Sequence, residues 1–223
     1  IYSVHPTPLG ISPHGRGIGC LQDAVIAALE LGCRCVVVHV PAASHWADPS
    51  AQRWLRVVDD CRRRTRGSVT RLALENPGVR SEATGQTVLG ELPDLVSFAR
   101  EHDFDITFDT CHAGSAGLDL LEAYEVVGKR VVNVHFSDLR PLRFGINFAP
   151  VRAFFAHHQV PGQGCLPLAD LVSRLAANGF SGPMTVEVGS VALGAWSRGQ
   201  LRRQLARVVE YIQSALPPSE SGR

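Results

Sequence analysis

The sequence predicts an α/β fold in which parallel strands alternate with helical crossovers, and three observations carry that expectation. Nearly continuous apolar runs are separated by amphipathic stretches from one end of the chain to the other. Such runs suit strands covered on both faces, as parallel strands are. Gly32, Gly128 and Gly179 stand just after three of the amphipathic stretches, where a helix end wants a residue tolerant of positive φ. A His, Asp or Glu lies at or near the end of each apolar run.

The first strand, 2–5, closes on Ser3-Val4-His5-Pro6 and is followed by a helix over 21–31. Strand 33–40 ends Val36-Val37-Val38-His39-Val40 and leads to a helix over 49–64. Strand 69–75 ends Leu72-Ala73-Leu74-Glu75-Asn76-Pro77, ahead of a helix over 89–102. Strand 105–109 ends Ile106-Thr107-Phe108-Asp109, then turns through Thr110-Cys111-His112 toward a helix over 118–127. Strand 130–135 closes on His135, before Phe136-Ser137-Asp138, and a helix over 168–178 comes next. Strand 184–188 reads Met184-Thr185-Val186-Glu187-Val188, and a helix over 197–216 ends the pattern.

No GxGxxG and no P-loop follows a strand, so a nucleotide-binding open sheet has no support. The alternative is a TIM (β/α)8-type barrel, of which about six βα units are visible here against the eight of a full barrel. The missing first one or two units are expected ahead of Ile1. Residues 1–216 are expected to form a single barrel domain and 217–223 a frayed tail.

Composition narrows the function classes. Of the 223 residues 45 % are hydrophobic and 19 % charged, the balance of an ordinary globular chain. A formal net charge of +1 gives nucleic acid no general basic footprint. Arg62, Arg63, Arg64 and Arg66 do cluster, but at a helix end, where a solvated face near the negative dipole end accounts for them. The six cysteines show no CxxC pair, and Cys33 and Cys35 point to opposite sides of one strand. With no signal peptide in view, they read as free thiols of a reducing cytoplasm. No apolar run reaches the ~18 residues of a membrane span, so a membrane is not expected as a partner.

His5, His39, Glu75, Asp109, His135 and Glu187 thus all stand at strand C-termini, which in a barrel converge on one face. One such residue alone reads as a hydrogen-bonded structural group or a helix-cap neighbour. The coincidence across all six strands points to a shared site. Carboxylates gathered in a partly desolvated site repel unless a cation or shared protons compensate. A mixed His/Asp/Glu shell suits Zn²⁺, Mn²⁺ or another borderline divalent ion. His112 follows Asp109 closely enough to share a cavity with it, as a substrate hydrogen-bonder or second-metal ligand. His158 precedes Pro161-Gly162-Gln163-Gly164, whose glycines either admit a ligand close to the backbone or simply turn the chain. Cys111, flanked by better ligands, reads as packing.

On these residues the chain resembles the xylose isomerase-like TIM-barrel superfamily, which includes sugar isomerases and epimerases and the family-2 AP endonucleases of the endonuclease IV type. The similarity runs from about His5 to Glu187, and its most specific stretch is DTCHAGSAGLDL at 109–120. LENPG at Glu75, VHFSD around His135, and the segment from PGQG through MTVEV support it. For the sugar enzymes the resemblance implies one divalent ion (Mn, Zn, Mg or Co) held by Glu75, Asp109, His135 and Glu187. Glu75 and Glu187 would flank a small sugar as the catalytic pair, one taking a proton from carbon beside a carbonyl that the metal polarises. His112 would hold a substrate oxygen.

For the endonucleases the resemblance implies up to three zinc ions on nine ligands. Eight have counterparts in His5, His39, Glu75, Asp109, His112, His135, His158 and Glu187, while the ninth, an Asp, is Ala156 here. Pro8, Ser137-Asp138 and Val188-Gly189 also stand where that branch has Tyr, Asn-Asp and Thr-Pro. Near-neutral charge further argues against a DNA-gripping protein. The favoured reading is a metal-dependent isomerase or epimerase of a small sugar. AP endonuclease comes second, and a barrel that only binds a ligand third. Exposed strand edges would leave room for a homodimer.

Overall fold

The computed structural model describes residues 1–6, 16–78, 87–141 and 155–217. Pro8 and the tail beyond 217 lie outside them. Among the described residues six strands lie parallel in one sheet in sequence order. They are β1 Ser3–Val4, β2 Cys35–His39, β3 Arg71–Glu75, β4 Asp105–Asp109, β5 Val131–Phe136 and β6 Met184–Val186. The α-helices are α1 Arg16–Leu31, α2 Pro49–Thr65, α3 Leu92–Glu101, α4 Thr110–Ser115, α5 Leu120–Val127, α6 Leu168–Ala177, α7 Ser190–Leu193 and α8 Arg198–Ala215. No helix among the described residues is long and apolar enough to cross a membrane. The chain forms two compact units, Ile1–Phe108 with Val126–Asn133, and Asp109–Glu125 with Val134–Arg223.

In the first unit the register pairs Val36 with Leu72, Leu74 with Ile106, and His39 with Glu75. Strand side chains alternate between faces, so in-register neighbours share a face. One face carries Val36, Val38, Leu72, Leu74 and Ile106, all large and buried. Each such side chain contributes roughly 2 kcal/mol through burial. The other face carries Val37 with the smaller Ala73 and Thr107, and it ends in His39 and Glu75. Small residues leave space beside polar strand ends.

At the opposite end of β3, the Arg71 guanidinium bonds Asp103 at 2.9 and 3.2 Å and Asp105 at 3.1 Å. These bonds hold the Asp103 carboxyl below its ordinary range. The group is solvent-exposed, so Arg71→Ala is expected to cost only about 1 kcal/mol. That corresponds to a fall of roughly 2–4 °C in Tm for a chain of this size, shrinking in high salt. Thermal melts at two ionic strengths check it, and a loss that salt leaves unchanged would contradict the ion-pair account. The arginines at the end of α2 are also engaged: Arg63 with Asp59, Arg64 with Asp60, and Arg62 over the Phe104 ring at 5.4 Å.

The second unit packs Leu168, Leu171, Val172 and Leu175 of α6, which are buried, with Phe136 of β5 and Leu120 of α5 also in its core. Val134 pairs with Met184 and His135 with Thr185. Asp138, just beyond β5 and 1 % exposed, clasps the Pro-Gly segment. Its Oδ2 accepts the Gly162 and Gly164 amides at 3.0 and 2.8 Å. Its Oδ1 accepts those of Leu139 and Leu166 at 2.8 and 3.1 Å. A Cβ on Gly164 would collide with Asp138 Oδ1 and the Leu139 carbonyl. Of the two readings the sequence left open, the glycines therefore serve the turn and its carboxylate.

Several boundaries differ from expectation for local reasons. Helix α3 starts at Leu92 rather than 89 because Leu89 has φ of 56°, which breaks helical geometry. Helix α5 starts at Leu120, where Asp119 Oδ1 accepts the Leu121 and Glu122 amides, both at 2.9 Å. Helix α1 begins earlier, at Arg16. Helix α4 occupies a stretch expected as a turn, and α7 one to which no element was assigned. Gly32 and Gly179 take φ of 63° and 68° at helix ends, as expected. All six cysteines are free thiols.

Candidate metal centre

The first unit gathers three of the expected residues. His5 follows β1, His39 closes β2 and Glu75 closes β3. Glu75 Oε2 lies 3.0 Å from His39 Nε2 and 3.8 Å from His5 Nε2, and the two rings meet edge to face at 4.8 Å. Glu75 is buried, with its side chain 2 % exposed, whereas the His39 side chain is 38 % exposed. The backbone of His39 is fixed from outside the cluster, since Trp54 Nε1 donates to its carbonyl at 2.8 Å.

The second unit gathers the other five. Asp109 closes β4, and its carboxylate divides its work. Oδ1 caps α4 by accepting the His112 amide at 2.6 Å, while Oδ2 lies 3.7 Å from His135 Nδ1. Glu187, one residue past β6, places Oε2 2.7 Å from the same Nδ1. Two carboxylates thus face one buried imidazole. Asp109, His112 and His158 each also offer a ligand atom, all within 4.8 Å of one another. The His112 and His158 rings stand 5.5 Å apart and nearly perpendicular.

His158 is held by its backbone and its ring. It has φ of 48°, its amide donates to Cys111 Sγ at 3.2 Å, and its carbonyl accepts the Gly189 amide at 2.8 Å. Its Nδ1 lies 3.2 Å from both Ser137 Oγ and the Glu187 carbonyl oxygen. Burial pushes the Cys111 thiol up to about 12. The sulfur therefore stays neutral and serves as an acceptor in the packing rather than as a thiolate ligand. Ala156, two residues before His158, is 4 % exposed and apolar where the endonuclease pattern asks for Asp.

Imidazole nitrogens and carboxylate oxygens in buried surroundings fit a borderline divalent cation. The pairing of two carboxylates on one imidazole fits best, because without positive charge their approach is costly. Sequence reasoning singled out six of these side chains by their place at strand ends, and His112 and His158 by their neighbours in sequence. It missed Thr110, Ser137 and Asp138, whose polar atoms brace the site.

The model of a family described as "Xylose isomerase-like TIM barrel" matches residues 3–213. "Uncharacterized protein Rv0498" of Mycobacterium tuberculosis is 27 % identical over 236 residues, covering 97 % of this chain and 78 % of that protein. Among solved structures, a D-tagatose 3-epimerase-like protein superposes with a TM-score of 0.67 at 17 % identity, covering 96 % of this chain and 77 % of that one. The IolI protein with a bound zinc atom gives a TM-score of 0.60 at 15 % identity, covering 96 % and 74 %. At such identities the structural likeness is a likeness of fold.

Proposed function

Because the chain belongs to the xylose isomerase-like TIM-barrel family, we propose that it is a metal-dependent isomerase or epimerase of a small sugar. It would work by moving a proton at carbon next to a carbonyl. Glu75, Asp109, His135 and Glu187 are assigned as the ligands of one divalent ion. The observation that carries this reading is the convergence of Glu187 and Asp109 on His135. Glu75 adds a buried carboxylate at the end of β3. The solved neighbours support the sugar class, through the epimerase-like protein, and the metal, through zinc-bound IolI.

A bound ion would supply a Lewis acid for the substrate carbonyl. The chain's own carboxylates do the proton work. The Glu187 side chain, 37 % exposed and so open to solvent, is assigned as the base. Glu75, almost fully enclosed, is the partner on the other side of the sugar. His112, half-buried, holds a substrate oxygen.

The direct test is incubation of metal-loaded protein with ketoses and aldoses in deuterated water. Deuterium should enter the carbon beside the carbonyl of at least one of them. No uptake across a broad panel would leave a barrel that only binds its ligand. The ion itself gives an earlier readout. Zn²⁺ or Mn²⁺ at about 100 times its Kd is expected to stabilise the fold by about 2.7 kcal/mol. A melting shift of roughly 5–10 °C, reversed by chelator, follows for a chain of this size. An unchanged Tm at saturating metal would remove the ion from the account.

The second reading, a zinc AP endonuclease, is favoured by two observations. His5 and His39 face Glu75, and Asp109, His112 and His158 form a further ligand set. Elemental analysis separates the two, since the isomerase needs about one ion per chain and the endonuclease more. Metal-dependent incision of an oligonucleotide with an abasic site would decide for the endonuclease. Free thiols throughout accord with a reducing cytoplasm as the working place.

A further inference from the structure

His158 occupies the left-handed region, with φ of 48°, although it is not a glycine. Such a backbone is strained and persists only where its surroundings over-determine it. Here they do. The His158 amide, carbonyl and ring Nδ1 all have partners, at Cys111, Gly189, Ser137 and Glu187. The carbonyl oxygen of Glu187 can only accept, so the Nδ1 facing it carries the hydrogen. Nε2 is then the nitrogen with a lone pair to offer.

The backbone of Ser137, whose hydroxyl meets Nδ1, is itself held by a buried threonine. Thr110, the first residue of α4 and fully buried, places Oγ1 2.6 Å from the Ser137 carbonyl oxygen and 3.1 Å from that of His135. The same oxygen accepts the Ser137 amide at 3.0 Å. One hydroxyl therefore ties the start of α4 to the end of β5, on both sides of Ser137. Ser137 is fully buried, so its Oγ has little room to move.

We propose that Thr110 and Ser137 are positioning residues that hold His158 in the Nδ1-protonated tautomer, presenting Nε2 toward Asp109 and His112. Neither residue touches substrate in this scheme. The proposal builds on the metal reading only in what Nε2 is presented to, and the tautomer can be measured without that reading.

The experiment uses the full chain with 15N-labelled histidines, before and after Zn²⁺. Two-bond 15N–1H correlation spectra, with His158→Gln for assignment, should show the His158 Nδ1–H form before zinc is added. Thr110→Val keeps the shape and removes the hydroxyl. It is expected to populate both tautomers and to weaken Zn²⁺ binding about 10- to 100-fold, as loss of an outer-shell partner does. Thr110→Ser, which restores the hydroxyl, should restore both. A folded Thr110→Val that keeps the wild-type tautomer overturns the proposal, as does an Nε2–H form in the wild type. If Thr110→Val does not fold, Ser137→Ala decides by the same spectra. A chain inactive on every sugar would leave the tautomer result standing, so the two failures are distinct.

Discussion

Glu187→Gln is expected to abolish deuterium exchange into substrate, with a fall of about 10²- to 10⁴-fold, the usual worth of a positioned base. Gln matches Glu in shape but cannot take up a proton at working pH. It also withdraws a negative charge from the His135 side, where Oε2 sits 2.7 Å from Nδ1. Two effects are therefore mixed in the rate alone. Measuring exchange at matched metal occupancy separates them, because a deficit that remains at full occupancy belongs to proton transfer. Exchange within tenfold of wild type would move the base to Glu75, the other carboxylate proposed to flank the sugar.

The largest effect on stability is expected from Asp138→Ala. This carboxylate accepts the amides of Gly162, Gly164 and Leu166 in the turn at 161–166 and that of Leu139 beside it, and is almost wholly enclosed. A hydrogen bond to a charged group is worth roughly 1.5–3 kcal/mol, but the four do not add, because a freed loop regains water. A net loss of about 3–4 kcal/mol is expected, or roughly 6–15 °C in Tm. Asp138→Asn should recover little, since its amide group would set donors against donors. Thermal and denaturant melts of both variants check this. A loss under about 1 kcal/mol in Asp138→Ala would mean that the turn holds its shape unaided.

The strands were the most legible part of the sequence. Residues 105–109 form β4 as expected, β5 runs one residue beyond its expected end, and the other apolar runs each contain their strand. Apolar content and strand-end chemistry are local signals, so they survive without tertiary information. Helix α4 was hidden for an equally local reason: Thr110-Cys111-His112-Ala113-Gly114-Ser115 has no apolar period and contains a glycine. What holds it is the Asp109 cap. The donor residues of the site were legible for their identity and position. Their supports were not, because Thr110, Ser137 and Asp138 act on residues far off in sequence, from Ser137 to His158 and from Asp138 to Gly162 and Leu166. The left-handed backbones of Leu89 and His158 were equally invisible, since that conformation is uncommon for any residue but glycine.

The divided carboxylate of Asp109 makes the His112 amide a built-in reporter. One oxygen holds that amide proton at 2.6 Å while the other faces the imidazole cluster. Charge drawn to one oxygen by a cation is charge withdrawn from the other, so the proton's chemical shift and solvent-exchange rate should track occupancy of the cluster. A single backbone resonance could then be followed during a titration, with no need for colour, substrate or a labelled metal.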